Sequence, residues 1–197
     1  MKTLKTIFTI LAVAILTISC SSDDDKADPI VYNAENPLDL YLSGSGFNQK
    51  SIDLKDAGMY EYGFSFKPTV NGKITSFFAK IPDVNVNLRI TLWDVATKTV
   101  IKSETMNVSI ANMSFQKTIV PIPLVKDKEY FLTVNSDDWI KRTKTDGSAT
   151  TYPIIAGNIT ITGYAYISST AAQTLFPTSS SNTYYAGDTS FLFQQTE

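Results

Sequence analysis

The sequence contains no histidine, which removes the side chain that titrates near neutral pH. Most zinc centres and every catalytic triad with an imidazole base are therefore excluded. Cysteine occurs once, at Cys20, so the chain can form neither an internal disulfide nor a thiolate metal cluster. We expect no cofactor, and the folded part must be stabilised by packing alone.

Charged residues are also scarce, at 18% of the chain against 43% hydrophobic residues. This balance is typical of a chain that buries a core, and it is too apolar for an intrinsically disordered protein. The formal net charge is −2, and the Lys and Arg residues are scattered singly. Because nucleic-acid binding needs a concentrated basic surface, we expect no nucleic-acid partner.

The first residues have the pattern of an export signal. Lys2 and Lys5 form a short positive segment, and residues 6–18 form an uncharged, largely aliphatic run. That run is too short to cross a bilayer, which takes about 20 apolar residues. The sequence therefore predicts a signal peptide over residues 1–19 and no permanent membrane span.

The end of this signal, Leu16-Thr17-Ile18-Ser19-Cys20, resembles the lipobox of bacterial lipoproteins, although Thr17 stands where that family usually has Leu. The resemblance implies lipidation of Cys20, with acyl chains such as palmitate as the membrane anchor. An ordinary secretory signal with an incidental thiol is the alternative.

The acidic run of residues 23–25 resembles the start of Bacteroidetes-type surface lipoproteins and implies the outer membrane or cell surface. Its alternative is a solvated charge run in a periplasm-facing tether. Residues 20–37 as a whole are polar and are predicted to be the acylated Cys and a linker.

Residues 38–197 carry repeated strand patterns. Large rings alternate with polar or small residues at Tyr60, Tyr62, Phe64 and Phe66, which places all four on one core face. Asn71-Gly72 predicts a tight turn into a strand over residues 74–81, and hence a hairpin. A second hairpin and further strands are predicted over 87–94 with 99–108, 115–122, 129–135, 158–167 and 189–194.

No segment after Pro37 shows a sustained helical period. Seven or more strands without a helix cannot bury both faces of a single sheet. The fold class predicted for residues 38–197 is therefore all-β, an antiparallel β-sandwich of jelly-roll or immunoglobulin-like type.

Several strand segments together are similar to a widespread bacterial domain family of unknown function, over roughly residues 60–134. These segments are Gly63-Phe64-Ser65-Phe66, Gly72-Lys73-Ile74-Thr75, Ile90-Thr91-Leu92-Trp93-Asp94, Pro123-Leu124-Val125 and Glu129-Tyr130-Phe131. The resemblance implies a β-sandwich module of secreted proteins, often found beside carbohydrate-active or immunoglobulin-like domains, and no catalytic residues. The usual glycine before the tyrosine is replaced by Asp127 or Lys128.

Acidic side chains suggest two kinds of chemistry, each with a plainer alternative. Asp137, Asp138 and Asp146 could supply oxygen ligands to calcium, although their spacing fits no known loop and Asp residues also form turns. The same carboxylates could be paired as the acid and base of a glycosidase, but no second signal supports that pair. We therefore expect that the protein has no enzymatic activity.

Aromatic residues are the better candidates for a ligand site. We expect Trp93 to be packed under a loop or against the other sheet. Trp139 lies in the predicted polar loop 135–147 beside Lys141 and Arg142, and we expect its ring to be exposed. Tyr164 and Tyr166 point outward if alternation survives Gly163, and into the core if a bulge occurs there. Tyr184 and Tyr185 lie either in the ligand site or in a loop that caps one end of the sandwich.

Two functions of different classes follow from these patterns. The first is a non-catalytic binding module at the cell surface, for carbohydrate, in which exposed rings stack on sugars. The second is a structural or adhesive subunit that contacts other surface proteins through its loops or sheet edges.

Overall fold

The computed structural model describes residues 30–197; the predicted signal peptide, Cys20 and the acidic run lie outside the described residues. Tyr32–Glu197 forms one compact unit. The bounds of its elements, in chain order, are β1 Ala34–Glu35, α1 Leu38–Ser45, a 3-10 turn Phe47–Gln49, β2 Lys50–Leu54, β3 Tyr60–Pro68, β4 Gly72–Lys80, β5 Asn85–Asp94, β6 Thr99–Val108, β7 Phe115–Leu124, β8 Tyr130–Ser136, β9 Trp139–Thr143, β10 Ile154–Ala156, β11 Ile159–Ser168, β12 Ser179–Ser181, β13 Tyr184–Ala186 and β14 Asp188–Gln195.

Two antiparallel sheets form the sandwich, which confirms the predicted fold class. The large sheet has the order β10-β11-β3-β8-β5-β6, with β12 also on β11, and the smaller sheet has the order β1-β14-β4-β7. The pairs β5·β6, β4·β7 and β3·β8 nest around the turn after β5. A long hairpin rolled up in this way is a jelly roll, not an immunoglobulin-like sandwich.

The predicted hairpin between residues 60–68 and 74–81 is wrong. Strand β3 pairs with β8 and β11 in the large sheet, whereas β4 pairs with β7 and β14 in the smaller one. The chain therefore crosses from one sheet to the other at Asn71-Gly72. The other predicted hairpin, between β5 and β6, is confirmed.

A helix, α1, occurs where the sequence predicts none. It follows Pro37 and ends at Gly46, whose φ of 78° is a conformation that glycine adopts at low cost. Two turns are too short to show a helical period, but α1 buries Tyr41 and Leu42 against the core. Strand β1, within the predicted linker, pairs with β14, so the folded domain begins before residue 38.

The core lies between the two sheets. Tyr62, Phe64 and Phe66 are fully buried there, as predicted, while Tyr60 at the start of β3 is only half-buried. From the smaller sheet, Phe191 packs on Phe66 with ring centroids 4.6 Å apart. Burial of such rings is the main stabilising contribution in a domain without disulfides.

The opposite face of the large sheet is covered as well, by residues 169–177, which we name the strap. Arg89 donates hydrogen bonds to the carbonyl oxygens of Ala171 and Gln173 in the strap and, over 2.8 Å, to the carboxylate of Glu61. Phe176 of the strap packs edge-on against Trp93 at 5.6 Å. Trp93 is therefore packed under a loop, as predicted.

A third, small sheet with the order β13-β9-β2 stands beside the sandwich. Its strand β13 leads into β14 across Gly187, where φ is 90°. A Cβ atom at Gly187 would lie 2.3 Å from the Tyr62 ring, so only glycine lets the chain pass this ring. The small sheet is thereby held against the aromatic end of β3.

Candidate functional site

A cleft of about 230 Å³ opens between the small sheet and strands β3 and β11. We name it the aromatic cleft, because six of its nine lining residues carry aromatic rings. The lining residues are Leu54, Tyr60, Tyr62, Trp139, Lys141, Tyr164, Tyr166, Tyr184 and Ala186. Four residues singled out from the sequence, Trp139, Tyr164, Tyr166 and Tyr184, thus come together in one place.

Strand pairing in the small sheet explains one wall of the cleft. In β9, Trp139 and Lys141 are two residues apart and therefore share a face. Ala186 of β13 and Ile52 of β2 lie directly opposite Lys141, and Leu54 lies opposite Trp139. Side chains directly across an antiparallel pair point to the same face, so this wall combines a large ring, a cation and apolar neighbours.

The second wall depends on a bulge in β11. The register with β3 shifts between Ile161 and Gly163, after which Tyr164 lies opposite Phe64 and Tyr166 opposite Tyr62. Because Phe64 and Tyr62 face inward, the bulge turns both tyrosines inward too. Of the two alternatives left open by the sequence, the inward one holds. Tyr164 is buried, and Tyr166 is half-buried at the cleft.

Trp139 differs from its prediction. It belongs to strand β9, not to a polar loop, and it is half-buried instead of exposed. Its ring packs edge-on against Tyr60 at 5.4 Å and Tyr62 at 5.6 Å. Such edge-to-face contacts fix the indole plane before any ligand arrives.

Tyrosines form the opposite side of the cleft as a packed group. Tyr164 contacts Tyr166 at 6.1 Å and Tyr184 at 5.4 Å between ring centroids. Burial raises the pKa of Tyr164 and of Tyr184 above the ordinary tyrosine value. Both hydroxyls therefore stay protonated near neutral pH and can donate hydrogen bonds.

The cleft also holds one positive charge. The Lys141 ammonium lies over the Tyr184 ring, 4.5 Å from its centroid. The seven ion pairs formed among residues 30–197 do not include Lys141. None of the nine lining residues, all of which belong to the described part of the chain, carries a carboxylate, and Lys141 gives this lining a positive charge.

Two other predicted ligand residues do not line the cleft. Tyr185 is fully buried on the opposite face of the small sheet and packs against Tyr41 at 5.0 Å. Arg142 shares that face and donates to Asp188 through Nε at 2.6 Å and Nη2 at 2.5 Å. Neither residue belongs to the aromatic cleft, because neighbours in a strand point to opposite faces.

The three acidic calcium candidates do not form a site. A carboxylate oxygen of Asp138 accepts the backbone N–H of Asp56 at 2.8 Å, and the carboxylate of Asp146 accepts that of Ser148 at 2.9 Å. Both carboxylates therefore organise local turns. Within residues 30–197, no group of three or more acidic, histidine or cysteine side chains is arranged to hold a metal ion.

Three important cleft residues were not predicted to be in a ligand site: Tyr60, Tyr62 and Lys141. The signal for Lys141 was present, because two residues separate it from Trp139 and a strand puts both on one face. Tyr60 was assigned to the core together with the other alternating rings of β3, although the first residue of a strand often lies at the rim of the sheet.

Neither a model of a known protein family nor a curated protein matches this chain. The resemblance to the bacterial domain family therefore stays a prediction. In the part of the chain that the structure describes, no helix is long and apolar enough to cross a membrane.

Proposed function

We propose that this domain is a non-catalytic carbohydrate-binding module and that the aromatic cleft is its binding site. The observation that carries the proposal is the grouping of half-buried rings, Tyr60, Trp139, Tyr166 and Tyr184, around one open cavity. Aromatic faces stack on the apolar faces of sugar rings, and hydroxyl groups around them bind sugar hydroxyls.

The size of the cleft restricts the ligand. Pockets for drug-sized ligands have volumes of roughly 300–1,000 Å³, and this cleft has about 230 Å³. It therefore suits one sugar residue, such as the end or a single unit of a longer glycan. A few ring contacts, each contributing on the order of 1 kcal/mol beyond the buried area, give dissociation constants in about the micromolar to millimolar range.

The proposal includes attachment to a membrane. Acyl chains on Cys20, joined to the domain by the polar linker, would place many copies on the outer membrane or cell surface. Weak single contacts become effective when many copies bind one polymeric glycan. The sequence pattern around Cys20 and the acidic run behind it support this part.

A glycan array with the full chain, solubilised in a detergent without sugar groups, tests the proposal. Tyr184→Leu and Tyr166→Leu should each weaken binding by about two- to tenfold, the effect of losing one ring contact. Phe115→Leu is the matched control, since Phe115 is also half-buried but lies outside the cleft.

Two outcomes would overturn the proposed carbohydrate-binding function: no glycan bound above background, or cleft variants that bind glycans as well as the parent. The alternative, a structural or adhesive subunit that contacts other surface proteins, would then be favoured.

A further inference from the structure

We infer that the glycan bound in the aromatic cleft carries an anionic group, such as the carboxylate of a uronic acid, and that Lys141 selects it. This inference rests on the proposed function and adds the ligand's chemical class. Lys141 lines the cleft on the same face of β9 as Trp139.

Among residues 30–197, no carboxylate forms an ion pair with Lys141. It lies in the central strand of the small sheet, with Ile52 and Ala186 directly across on either side. An opposite charge directly across the strand pair would stabilise a charged residue at such a position. Here both neighbours are apolar, and the ammonium lies over the face of the Tyr184 ring.

Seven other basic side chains among residues 30–197 form ion pairs, whereas six, Lys50, Lys73, Lys80, Lys98, Lys126 and Lys144, form none. Arg142, the next residue in β9, pairs with Asp188, and Arg89 pairs with Glu61. Lys55, Lys67, Lys102, Lys117 and Lys128 each contact a carboxylate as well. Lys141 differs from these lysines by its place: it is half-buried and is the one basic residue among residues 30–197 that lines the aromatic cleft, where none of the described lining residues is acidic.

An ammonium in a cleft lined by aromatic rings attracts an anion more strongly than one in open water, because the rings lower the local dielectric constant. Stacking on Tyr184 also limits where the ammonium can be, so less rotamer freedom is lost on binding. A sugar that stacks on Trp139 or Tyr184 would bring a ring carboxylate within reach of this charge. Neutral sugars would bind by stacking alone.

The closing experiment compares a galacturonic acid trimer with its methyl ester, which has the same rings without the charge. Calorimetric titration of the full chain, in a detergent without sugar groups and at low salt, should give about tenfold tighter binding of the acid, the effect of one charge-assisted hydrogen bond. Added salt should reduce this preference. A sulfated galactose trimer in a third arm distinguishes sulfate from carboxylate as the favoured anion.

Lys141→Met keeps the length and apolar stem of the side chain but removes the charge. It should weaken binding of the acid by about tenfold, so that the acid is no longer preferred over the ester. Lys126→Met is the matched control, since Lys126 is exposed and outside the cleft. Melting temperatures of both variants check that the fold is intact.

The possible failures are distinguishable. Equal binding of acid and ester, or a preference that survives Lys141→Met, would overturn this inference and leave the carbohydrate site standing. If only the sulfated trimer binds, the anion that Lys141 selects is sulfate and not carboxylate. If none of the trimers and no glycan on the array binds, the proposed function fails as well.

Discussion

At the scale of single residues, the least expected feature is a buried polar network on the outer face of the large sheet. Glu61 is fully buried, accepts a hydrogen bond from Thr133 at 2.6 Å and pairs with Arg89 at 2.8 Å. Trp93 donates its indole N–H to the same Thr133 hydroxyl at 2.9 Å. These groups join the strap to β3, β5 and β8.

Arg89→Met should destabilise the domain by about 3 kcal/mol, because removing one partner leaves the buried carboxylate of Glu61 without its counter-charge. Urea denaturation at neutral pH measures this loss. The double variant with Glu61→Gln should recover part of it, since no buried charge is then left alone. An Arg89→Met variant as stable as the parent would show that the network contributes nothing.

The same network predicts a pH dependence. Burial raises the pKa of the Glu61 carboxyl, and hydrogen bonds from Thr133 and Arg89 only partly oppose the rise. The folded protein thus holds this proton more tightly than the unfolded chain. The stabilisation that comes from protonated Glu61 is fully present below the pKa of this carboxyl in the unfolded chain, about 4.3. It is lost as the pH rises through the pKa of the carboxyl in the folded protein.

Glu61→Gln cannot titrate, so its stability relative to the parent should rise as pH increases from 4 to 7. Urea denaturation of both proteins at each pH gives the difference, in which the contributions of other carboxylates cancel. A difference that is flat, or that falls with pH, would contradict the raised pKa.

At the scale of elements, Gly187 connects β13 to β14 and thereby holds the small sheet on the sandwich. In Gly187→Ala, the backbone φ is 90°, and the new Cβ atom would lie 2.3 Å from the ring of Tyr62. Gly147→Ala is the matched control, with a φ of 69° but no atom within 4 Å. Backbone strain costs each about 1–3 kcal/mol.

The collision with Tyr62 should add at least about 1 kcal/mol in Gly187→Ala, as overpacking of a core does. Thermal and urea unfolding of the two variants measure the difference. Equal losses of unfolding free energy in the two variants would show that a Cβ atom at position 187 does not clash with Tyr62.

Local sequence patterns predicted strands well, but they did not tell which sheet a strand joins. The alternation over residues 60–66 identified β3, yet its next strand lies in the other sheet, because a turn sequence does not encode the sheet it leads to. Glu61 looked solvent-facing since the strap that covers it comes more than 100 residues later in the chain. Four of the six aromatic residues of the cleft were predicted as ligand residues, but Tyr60 and Tyr62 were assigned to the core. Lys141 was missed since β9 is short and polar.

At the scale of the whole molecule, the proposed function joins a folded domain to a lipid anchor at Cys20. Cys20→Ala should move the protein from the detergent phase to the aqueous phase in a phase-separation experiment. Stable attachment needs two or more acyl chains, and this change removes their site. Unchanged partitioning would contradict the anchor and favour an ordinary secretory signal.

The central claim is that the aromatic cleft binds a sugar, and the two tryptophans of the chain allow a direct measurement. Trp139 lines the cleft, whereas Trp93 is hydrogen-bonded to Thr133 beneath the strap. Residues 28–197, which contain the whole compact unit, give two indole N–H signals in a ¹⁵N correlation spectrum. Titration with the galacturonic acid trimer should shift the Trp139 signal progressively and leave the Trp93 signal in place. A Trp139 signal that stays fixed up to millimolar trimer and methyl ester, or shifts only together with that of Trp93, would contradict the account.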